Sequence, residues 1–250
     1  MATGRKTVAN RDQTMMRRQK LGEVRRRLGW TLIAALWLVP FAVAGEENRL
    51  FAELQQALRG EATESLQSLL AQGLDPNATD EQGTPLLIWA AARGNLALVD
   101  SLLQAGANRN RRNVVGETAL MVAAYRGHLP VVEHLIAAGA IVDHDGWNPL
   151  LYAAMQGHVA VVDRLLAAGA NPNRAAANGM TPLLWAAKNG DVAVVTRLLT
   201  AGADTEAVNE EGRGALVLAL TNGHMEVAQR IEAERQKRGL PPARIALGIE

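Results

Sequence analysis

Three series of glycines recur along this 250-residue chain with nearly the same period, and this recurrence constrains the fold more than any single motif. Successive members lie 33 residues apart, apart from one step of 30 residues in each series. The series are Gly83, Gly116, Gly146, Gly179 and Gly212; Gly94, Gly127, Gly157, Gly190 and Gly223; and Gly73, Gly106, Gly139, Gly169 and Gly202. A period of about 20 to 50 residues is typical of repeat architectures. We therefore expect stacked copies of one supersecondary unit.

The segments between the glycines also repeat, and their spacing is helical. A Thr-Pro-Leu-Leu-Trp-Ala-Ala segment, Thr181–Ala187, precedes Gly190, and related segments precede Gly127 and Gly157. After the glycine comes a second apolar segment with spacing i, i+1, i+4, i+5, which is one face of a helix. Threonine before proline suits a helix start, because the hydroxyl can cap and proline at the first helical position loses no needed N–H. Each unit is therefore predicted to be two helices joined by a glycine turn.

This pattern resembles the ankyrin repeat, and the resemblance covers about residues 46–237. It implies an all-α ankyrin-repeat solenoid of stacked antiparallel helix pairs, with β-hairpin fingers projecting between the repeats. One repeat cannot bury its apolar face alone, whereas stacking buries a continuous core. The predicted units are a degenerate capping repeat at 46–79, five repeats at 80–112, 113–142, 143–175, 176–208 and 209–237, and a C-terminal tail at 238–250.

The chain departs from the family pattern in its first helices. The family's histidine after Thr-Pro-Leu is absent from every repeat, so apolar packing is expected to replace an inter-repeat hydrogen bond. Thr84-Pro85 lies one residue closer to Gly83 than expected, which leaves the start of that helix open. The residues that replace the histidine are Ile88, Met121, Leu151, Leu184 and Val217.

Two further departures concern a finger and the last repeat. The segment from Gly139 to Gly146 is three residues shorter than that from Gly106 to Gly116, so the finger there is expected to be short, with Trp147 beside it. In the last repeat, Glu232 takes a position that leucine or isoleucine fills in the others. We expect Glu232 to face solvent on a polar cap, because a solenoid must end in a polar surface.

A basic segment and an apolar segment precede the repeats. Residues 1–27 are basic, residues 28–44 carry no charge, and Ala42-Val43-Ala44 offers the small residues that a signal peptidase requires. This order predicts a secretory signal peptide cleaved after Ala44; a start at Met15 or Met16 would give a more usual length. Alternatively, the apolar stretch reaches the lower limit for spanning a bilayer and is an uncleaved anchor. Both alternatives export the repeats, because the positive flank stays inside.

The formal charge of +1 hides an asymmetry between the ends of the chain. Residues 1–29 hold nine Lys/Arg against two acidic residues, a net +7, whereas the rest holds 17 basic and 23 acidic residues, a net −6. A mildly acidic repeat region argues against nucleic acid as a partner. The chain has no cysteine, which excludes disulfides, thiolate metal sites and a cysteine nucleophile.

No residue constellation predicts an enzyme, a metal site or a cofactor. His128, His158 and His224 follow the turn glycines, where we expect them to cap or pack, while His134 and His144 lack partners at metal-ligand spacing. No phosphate-binding loop and no Gly-x-Ser-x-Gly motif occurs. We therefore expect no catalysis and no small-molecule substrate.

The resemblance implies that first helices and fingers line a concave groove that binds another protein. The residues five, two and one before each turn glycine should face it, and large rigid side chains there are typical of binding hot spots. Alternatively, Trp89, Tyr152 and Trp185 only wedge between helices. The predicted partner-binding residues are Trp89, Arg93, Tyr125, Arg126, Trp147, Tyr152, Met155, Trp185 and Lys188. The finger Asn108–Arg112 is a basic tip that either meets an acidic partner or lipid head groups, or is a solvated loop.

These features together predict an exported, bacterial-type ankyrin-repeat protein. Its expected role is a non-enzymatic protein–protein interaction scaffold or adaptor in the periplasm, or at the periplasmic face of the inner membrane if the N-terminal segment is retained as an anchor. The alternative is a secreted effector that binds a host protein. Any contact with the membrane is expected only through the uncleaved N-terminal segment.

Overall fold

The computed structural model describes residues 49–50, 52–59 and 63–241. The chain divides into two compact units, Met1–Glu53 and Leu54–Glu250. Of the first unit, the described residues are helical. The predicted signal or anchor at 1–44 and most of the predicted tail lie outside the described residues. Among the helices that the structure describes, none is long and apolar enough to span a bilayer.

The second unit is a series of helix pairs. Residues 54–59 are helical and are followed by α1 (Thr63–Ala71). The first helices of the next five pairs are α2 (Leu86–Ala92), α4 (Ala119–Arg126), α6 (Pro149–Met155), α8 (Pro182–Asn189) and α10 (Ala215–Thr221). Their second helices are α3 (Leu96–Gln104), α5 (Leu129–Ala137), α7 (Val159–Ala167), α9 (Val192–Thr200) and α11 (Met225–Lys237).

Two layers result, because first helices pack on first helices and second helices on second helices of neighbouring pairs. The core lies between the layers. The alanine pairs of the first helices, such as Ala153 and Ala154, are fully buried, and so is Leu165 on α7. Small alanines let the helices approach closely, while each buried leucine contributes about 1.5–3 kcal/mol by leaving water. The all-α solenoid predicted from the repeats is confirmed.

The finger regions are less regular than the prediction of β-hairpins. Within the described residues the only bridges are isolated ones, Thr79 with Pro85 and Val208 with Gly214. Full-length fingers close with two backbone hydrogen bonds, as from Asn113 N–H to the Glu117 carbonyl and from Gly116 N–H to the Asn113 carbonyl, both at 3.0 Å. The shortened finger makes no such bond between Asp143 and Trp147, residues that the structure does describe. Its Asp143 instead accepts from the Arg174 guanidinium, at 2.9 Å.

The histidines after the turn glycines join one repeat to the one before it. They do not cap their own helices. Their Nε2 atoms instead lie 3.0–3.2 Å from first-helix carbonyls of the preceding repeat, so each Nε2 must carry the proton. The pairs are His128 with Ala92, His158 with Tyr125 and His224 with Lys188. Their predicted structural role therefore takes the form of an inter-repeat hydrogen bond.

The turn glycines make room for these rings. A Cβ on Gly127 would lie 2.7 Å from the His158 ring, which is closer than real contacts allow. Gly127 also has φ +74°, in the left-handed region that other residues adopt at a cost. Glycine is therefore required at this position for two reasons: the left-handed turn, and the space taken by the His158 ring.

The C-terminal end of the solenoid is closed by arginines, and here the expectation for Glu232 is wrong. Its side chain is only 25% exposed and lies 3.4 Å from Nε of the buried Arg235, which also pairs with Glu206. Arg238 donates to the carbonyls of Leu199 at 3.1 Å and Ala203 at 2.8 Å. Glu232 is drawn inward because the buried guanidinium needs a carboxylate beside it.

Candidate protein-binding surface

Four of the predicted residues form one aromatic cluster on the first-helix layer: Tyr125, Trp147, Tyr152 and Trp185. Trp147 stacks on Tyr152 with ring centroids 5.1 Å apart. Tyr125 meets Tyr152 edge-on at 5.6 Å, and Trp147 lies 6.3 Å from Trp185. Both arrangements at Tyr152 are ones that aromatic pairs prefer. The cluster therefore spans three successive repeats.

The shortened finger places Trp147 in this cluster. Trp147 directly follows the tip glycine Gly146 and directly precedes Asn148, whose Oδ1 accepts from Leu151 N–H at 3.0 Å and fixes the start of α6. The Trp147 ring is 38% exposed and Tyr125 is 36% exposed. Large aromatic side chains this exposed on a packed scaffold are available for contact with another molecule.

Tyr152 is anchored at both ends of its side chain. Its hydroxyl donates to Glu117 Oε1 at 2.9 Å, across the boundary to the preceding repeat. Burial, followed by this hydrogen bond to Glu117, raises the pKa of Tyr152 well above its ordinary value. The hydroxyl therefore stays protonated as a donor, and the ring is held rigidly beneath Trp147.

Trp89 does not share this environment. It is only 7% exposed, and the Arg93 guanidinium lies 3.7 Å above its ring. Trp89 is thus wedged between helices, as in the alternative considered for it, and Arg93 is the exposed member of the pair. Tyr152 and Trp185 are half-buried, so for them packing and exposure coexist.

The predicted basic residues lie over aromatic rings. Arg126 lies 5.7 Å from the Tyr125 ring centroid and Lys188 lies 5.1 Å from that of Trp185. Such cation–π contacts contribute about 0.5–1 kcal/mol at exposed sites. Neither Arg126 nor Lys188 makes an ion pair with a carboxylate among the described residues. Both are therefore available to an acidic partner.

Met155 is half-buried, and its main chain takes part in the junction between repeats. Its carbonyl accepts from Asn189 Nδ2 at 2.8 Å. At this junction Asp191 stands where three other repeats have histidine and one has Asn95, and a carboxylate cannot donate to a carbonyl. Asn189 supplies the missing donor.

A cleft of about 270 Å³ continues the surface beyond Trp185. The sequence prediction did not include its finger residues Met180 and Arg213, although a signal existed, because each directly follows a tip glycine as Trp147 does. Trp185 Nε1 is buried and has no hydrogen-bond partner among the described residues. The cleft is lined by Asn178, Met180, Trp185, Lys188, Asn209, Glu210, Glu211, Arg213, Leu218 and Asn222.

The arginines of the basic finger Asn108–Arg112 are exposed to solvent, and each also donates to a backbone carbonyl. Arg109 Nε donates to the Gly139 carbonyl at 3.0 Å, and Arg111 donates to the Asn77 carbonyl. Arg112 Nη1 donates to the Gly116 carbonyl at 2.7 Å. These arginines brace neighbouring fingers, yet their charges are not neutralised by carboxylates within the described region.

The described residues hold no group of three or more His, Asp or Glu side chains placed to bind a metal ion. His134 pairs with Asp100 of the preceding repeat at 3.1 Å, on the second-helix layer. This is an ordinary surface contact of the kind that contributes about 0–1 kcal/mol. The functional potential of the described part therefore lies in its surface.

Stacked helix pairs with an exposed aromatic surface define a repeat solenoid of the interaction-module class. The family model for ankyrin repeats (three copies) matches residues 54–142, 87–176 and 162–235, so the chain belongs to the ankyrin-repeat family. Repeats of this family generally mediate protein–protein interaction and are typically not enzymes. No curated protein matches the chain.

Proposed function

We propose that this protein is a non-enzymatic scaffold or adaptor that binds another protein through the first-helix layer and the fingers. The aromatic cluster carries the proposal. It places two half-exposed rings on a rigid base, and rigid aromatic side chains supply most of the binding energy in many interfaces. The cleft beside Trp185 extends the contact area toward the last repeat.

We further propose that the scaffold acts in the periplasm, or at the periplasmic face of the inner membrane. The basic, apolar and small-residue segments of 1–44 support this location. Cleavage after Ala44 gives a free periplasmic protein, and retention of the segment gives an anchored one. The mildly acidic repeats, which do not favour nucleic acid, agree with a protein partner.

The first prediction tests the binding surface. Partners captured from envelope extract by the full chain should lose affinity for Trp147→Ala and Trp185→Ala variants by about 2 kcal/mol or more, because buried aromatic anchors at interfaces commonly contribute that much. Affinity and melting temperature are measured on the same samples. Leu96→Ala is the control, since Leu96 is also an exposed apolar residue but lies on the second-helix layer.

The two roles of the rings give opposite outcomes. A binding role predicts weaker binding by protein that remains folded. A packing role alone predicts a lower melting temperature with unchanged affinity of the folded fraction. The second outcome, or equal losses with Leu96→Ala, would move the partner site away from the first-helix layer.

A further inference from the structure

We propose that a gap in the row of finger tips admits an acidic polypeptide segment bearing an apolar side chain. The gap, here called the notch, lies between tip residues 114–116 and 145–146. This inference rests on the proposed protein-binding function and specifies the chemistry of the partner.

The finger tips approach one another toward both ends of the row but not beside the shortened finger. A Cβ on Gly83 would meet Val114 of the next finger at 3.5 Å, and one on Gly179 would meet Asn209 of the next finger at 3.0 Å. A Cβ on Gly116 would meet only Arg112 of its own finger, at 3.8 Å. Gly146 has no such neighbour within 4 Å among the described residues. The three missing residues of the shortened finger thus leave an opening.

Apolar side chains border this opening. Val114 and Val115 form one tip and are 81% and 73% exposed, whereas the corresponding positions in the first and last fingers are Glu81-Gln82 and Glu210-Glu211. On the other side stands Trp147, stacked on Tyr152. Exposed valines at a tip cost solubility unless they are covered, so the notch has the apolar character of a contact site.

The charge around the notch is positive on an otherwise acidic body. Arg112 crosses its floor, with Nη1 on the Gly116 carbonyl and Nη2 3.1 Å from His144 Nδ1 of the shortened finger. Arg109, Arg111, Arg112 and Arg126 form no ion pair with a carboxylate within the described residues. Of the nearby carboxylates, Asp143 and Asp145 share Arg174, while Glu117 accepts from the neutral Tyr152 and Asn113 and keeps its charge. The five arginines, counting Arg174, therefore exceed the three carboxylates by two. Carboxylates of a partner complement this arrangement.

Exposed valines beside arginines also suit an anionic bilayer, but the aromatic cluster favours a polypeptide. A bilayer meets side chains that protrude, whereas Trp147 is stacked on the half-buried ring of Tyr152. A single extended chain can reach them through the notch. The apolar side chain of that chain would cover Val115 and Trp147 while its carboxylates face Arg112 and Arg126.

The test uses the full chain and three dye-labelled probes: peptides with four copies of Glu-Leu-Pro, of Lys-Leu-Pro and of Glu-Ser-Pro, in which proline keeps the chain extended. Anisotropy titration should show the Glu-Leu-Pro peptide binding about tenfold more tightly than the others. Its affinity should fall about tenfold in Val115→Ser and in Arg112→Gln/Arg126→Gln, and should weaken with salt. Val115→Ser leaves the core untouched. The matched control is Arg164→Gln, an arginine of α7 that likewise lacks an ion pair among the described residues.

Equal binding of the lysine peptide, or affinity unchanged in these variants, would overturn the proposal. So would Val115-dependent binding to phosphatidylserine vesicles without binding of the Glu-Leu-Pro peptide. The proposed function fails separately. A captured partner that requires Trp147 and Trp185 but not Arg112 and Arg126 refutes only the acidic partner, whereas a partner indifferent to all four refutes both.

Discussion

At the scale of single residues, Asp191 differs from the histidines that hydrogen-bond to the preceding repeat. Its carboxylate fills the space beside Gly157 that a histidine ring fills elsewhere, 3.0 Å from where a Cβ would stand. It makes no capping hydrogen bond to α9. The equivalent Asn95 does cap its helix, accepting from Leu98 N–H at 3.0 Å. Asp191 thus loses part of its hydration without gaining a side-chain hydrogen bond among the residues that the structure describes.

Burial raises the pKa of Asp191, while the charges of His224 and His158 act in the opposite direction. An acid whose pKa is higher in the folded than in the unfolded protein binds protons more readily when folded. Its ionised form therefore disfavours the folded state above that pKa, and the penalty disappears as the pH falls below the unfolded value, about 4.

We predict that Asp191→Asn is more stable than the parent at pH 8, because it removes a partly buried charge and restores the capping side chain found at Asn95. Its advantage should shrink as the pH is lowered toward about 4. Thermal melts of both proteins across this range measure the difference. Asp163→Asn is the control: this carboxylate pairs with Arg197 at 3.1 Å, so its removal should give no gain. An Asp191→Asn advantage independent of pH would contradict the argument.

At the scale of helices, the first helices differ in how they begin. The side chains of Thr118, Asn148 and Thr181 each accept from a backbone N–H of the first turn, at 3.0–3.3 Å, and all three are buried. Helix α10 begins instead at Gly214, which offers no side chain. Gly214 has φ −88° and ψ 175°, close to the values of Thr181. Helix α10, the first helix of the last repeat, therefore lacks a capping side chain, although the backbone of Gly214 has a conformation in which a threonine could cap.

Gly214→Thr is expected to stabilise the protein by about 1 kcal/mol, partly through the cap and partly by restricting the unfolded chain. In a domain of this size, that gain corresponds to a rise in melting temperature of about 2–4 °C. The added Cβ would lie 3.4 Å from the Ala207 carbonyl oxygen, an ordinary contact. Gly212→Thr is the matched control and should destabilise, because Gly212 has φ +71°. A gain from both variants would exclude the capping explanation.

The helix pairs could be predicted because each apolar position recurs with the repeat. The i, i+1, i+4, i+5 spacing of the second apolar segment predicts that Leu165 and Leu198 lie on its buried face, and both are fully buried. The start left open by Thr84-Pro85 needed the structure: Pro85 takes the capping position without a cap bond, and α2 begins at Leu86. The repeat pattern gives the usual distance from the tip glycine to the helix start, so it cannot locate the start in the one repeat where Thr84-Pro85 is displaced by one residue.

The aromatic cluster was only partly predictable. The spacing placed Tyr152 and Trp185 on one face, but the stacking of Trp147 depends on the path of the shortened finger, which no other repeat shares. The charged contacts were not predictable either. Burial of Arg235 and the inward turn of Glu232 depend on Glu206 in the preceding repeat, so they follow from tertiary contacts and not from local polarity.

At the scale of the whole molecule, positive and negative charge are separated along the chain. The positive excess lies in residues 1–29, and the repeats that follow are net acidic. Within the repeats, uncompensated arginines concentrate around the notch. The basic segment beside an apolar run is the feature on which the proposal of export rests.

Export is the prediction at this scale. A reporter fused after Glu46 should be active only outside the cytoplasm, and mature protein should begin at Gly45. Fractionation and N-terminal sequencing measure both. A mature chain that keeps residues 28–44 would indicate the anchored form. Accumulation of the fusion in the cytoplasm would exclude both exported forms.

The junction at Met155 has a consequence for how such a chain can be rearranged. Asp191, which cannot donate, and Asn189, which donates in place of histidine, belong to the same repeat and lie two positions apart. Duplication or recombination that moves residues 176–208 as a block therefore carries the altered junction and its remedy together. A copy inserted after another repeat would find the same glycine and carbonyl to engage. Mutation at either position alone would instead leave a junction without its donor or with two competing donors.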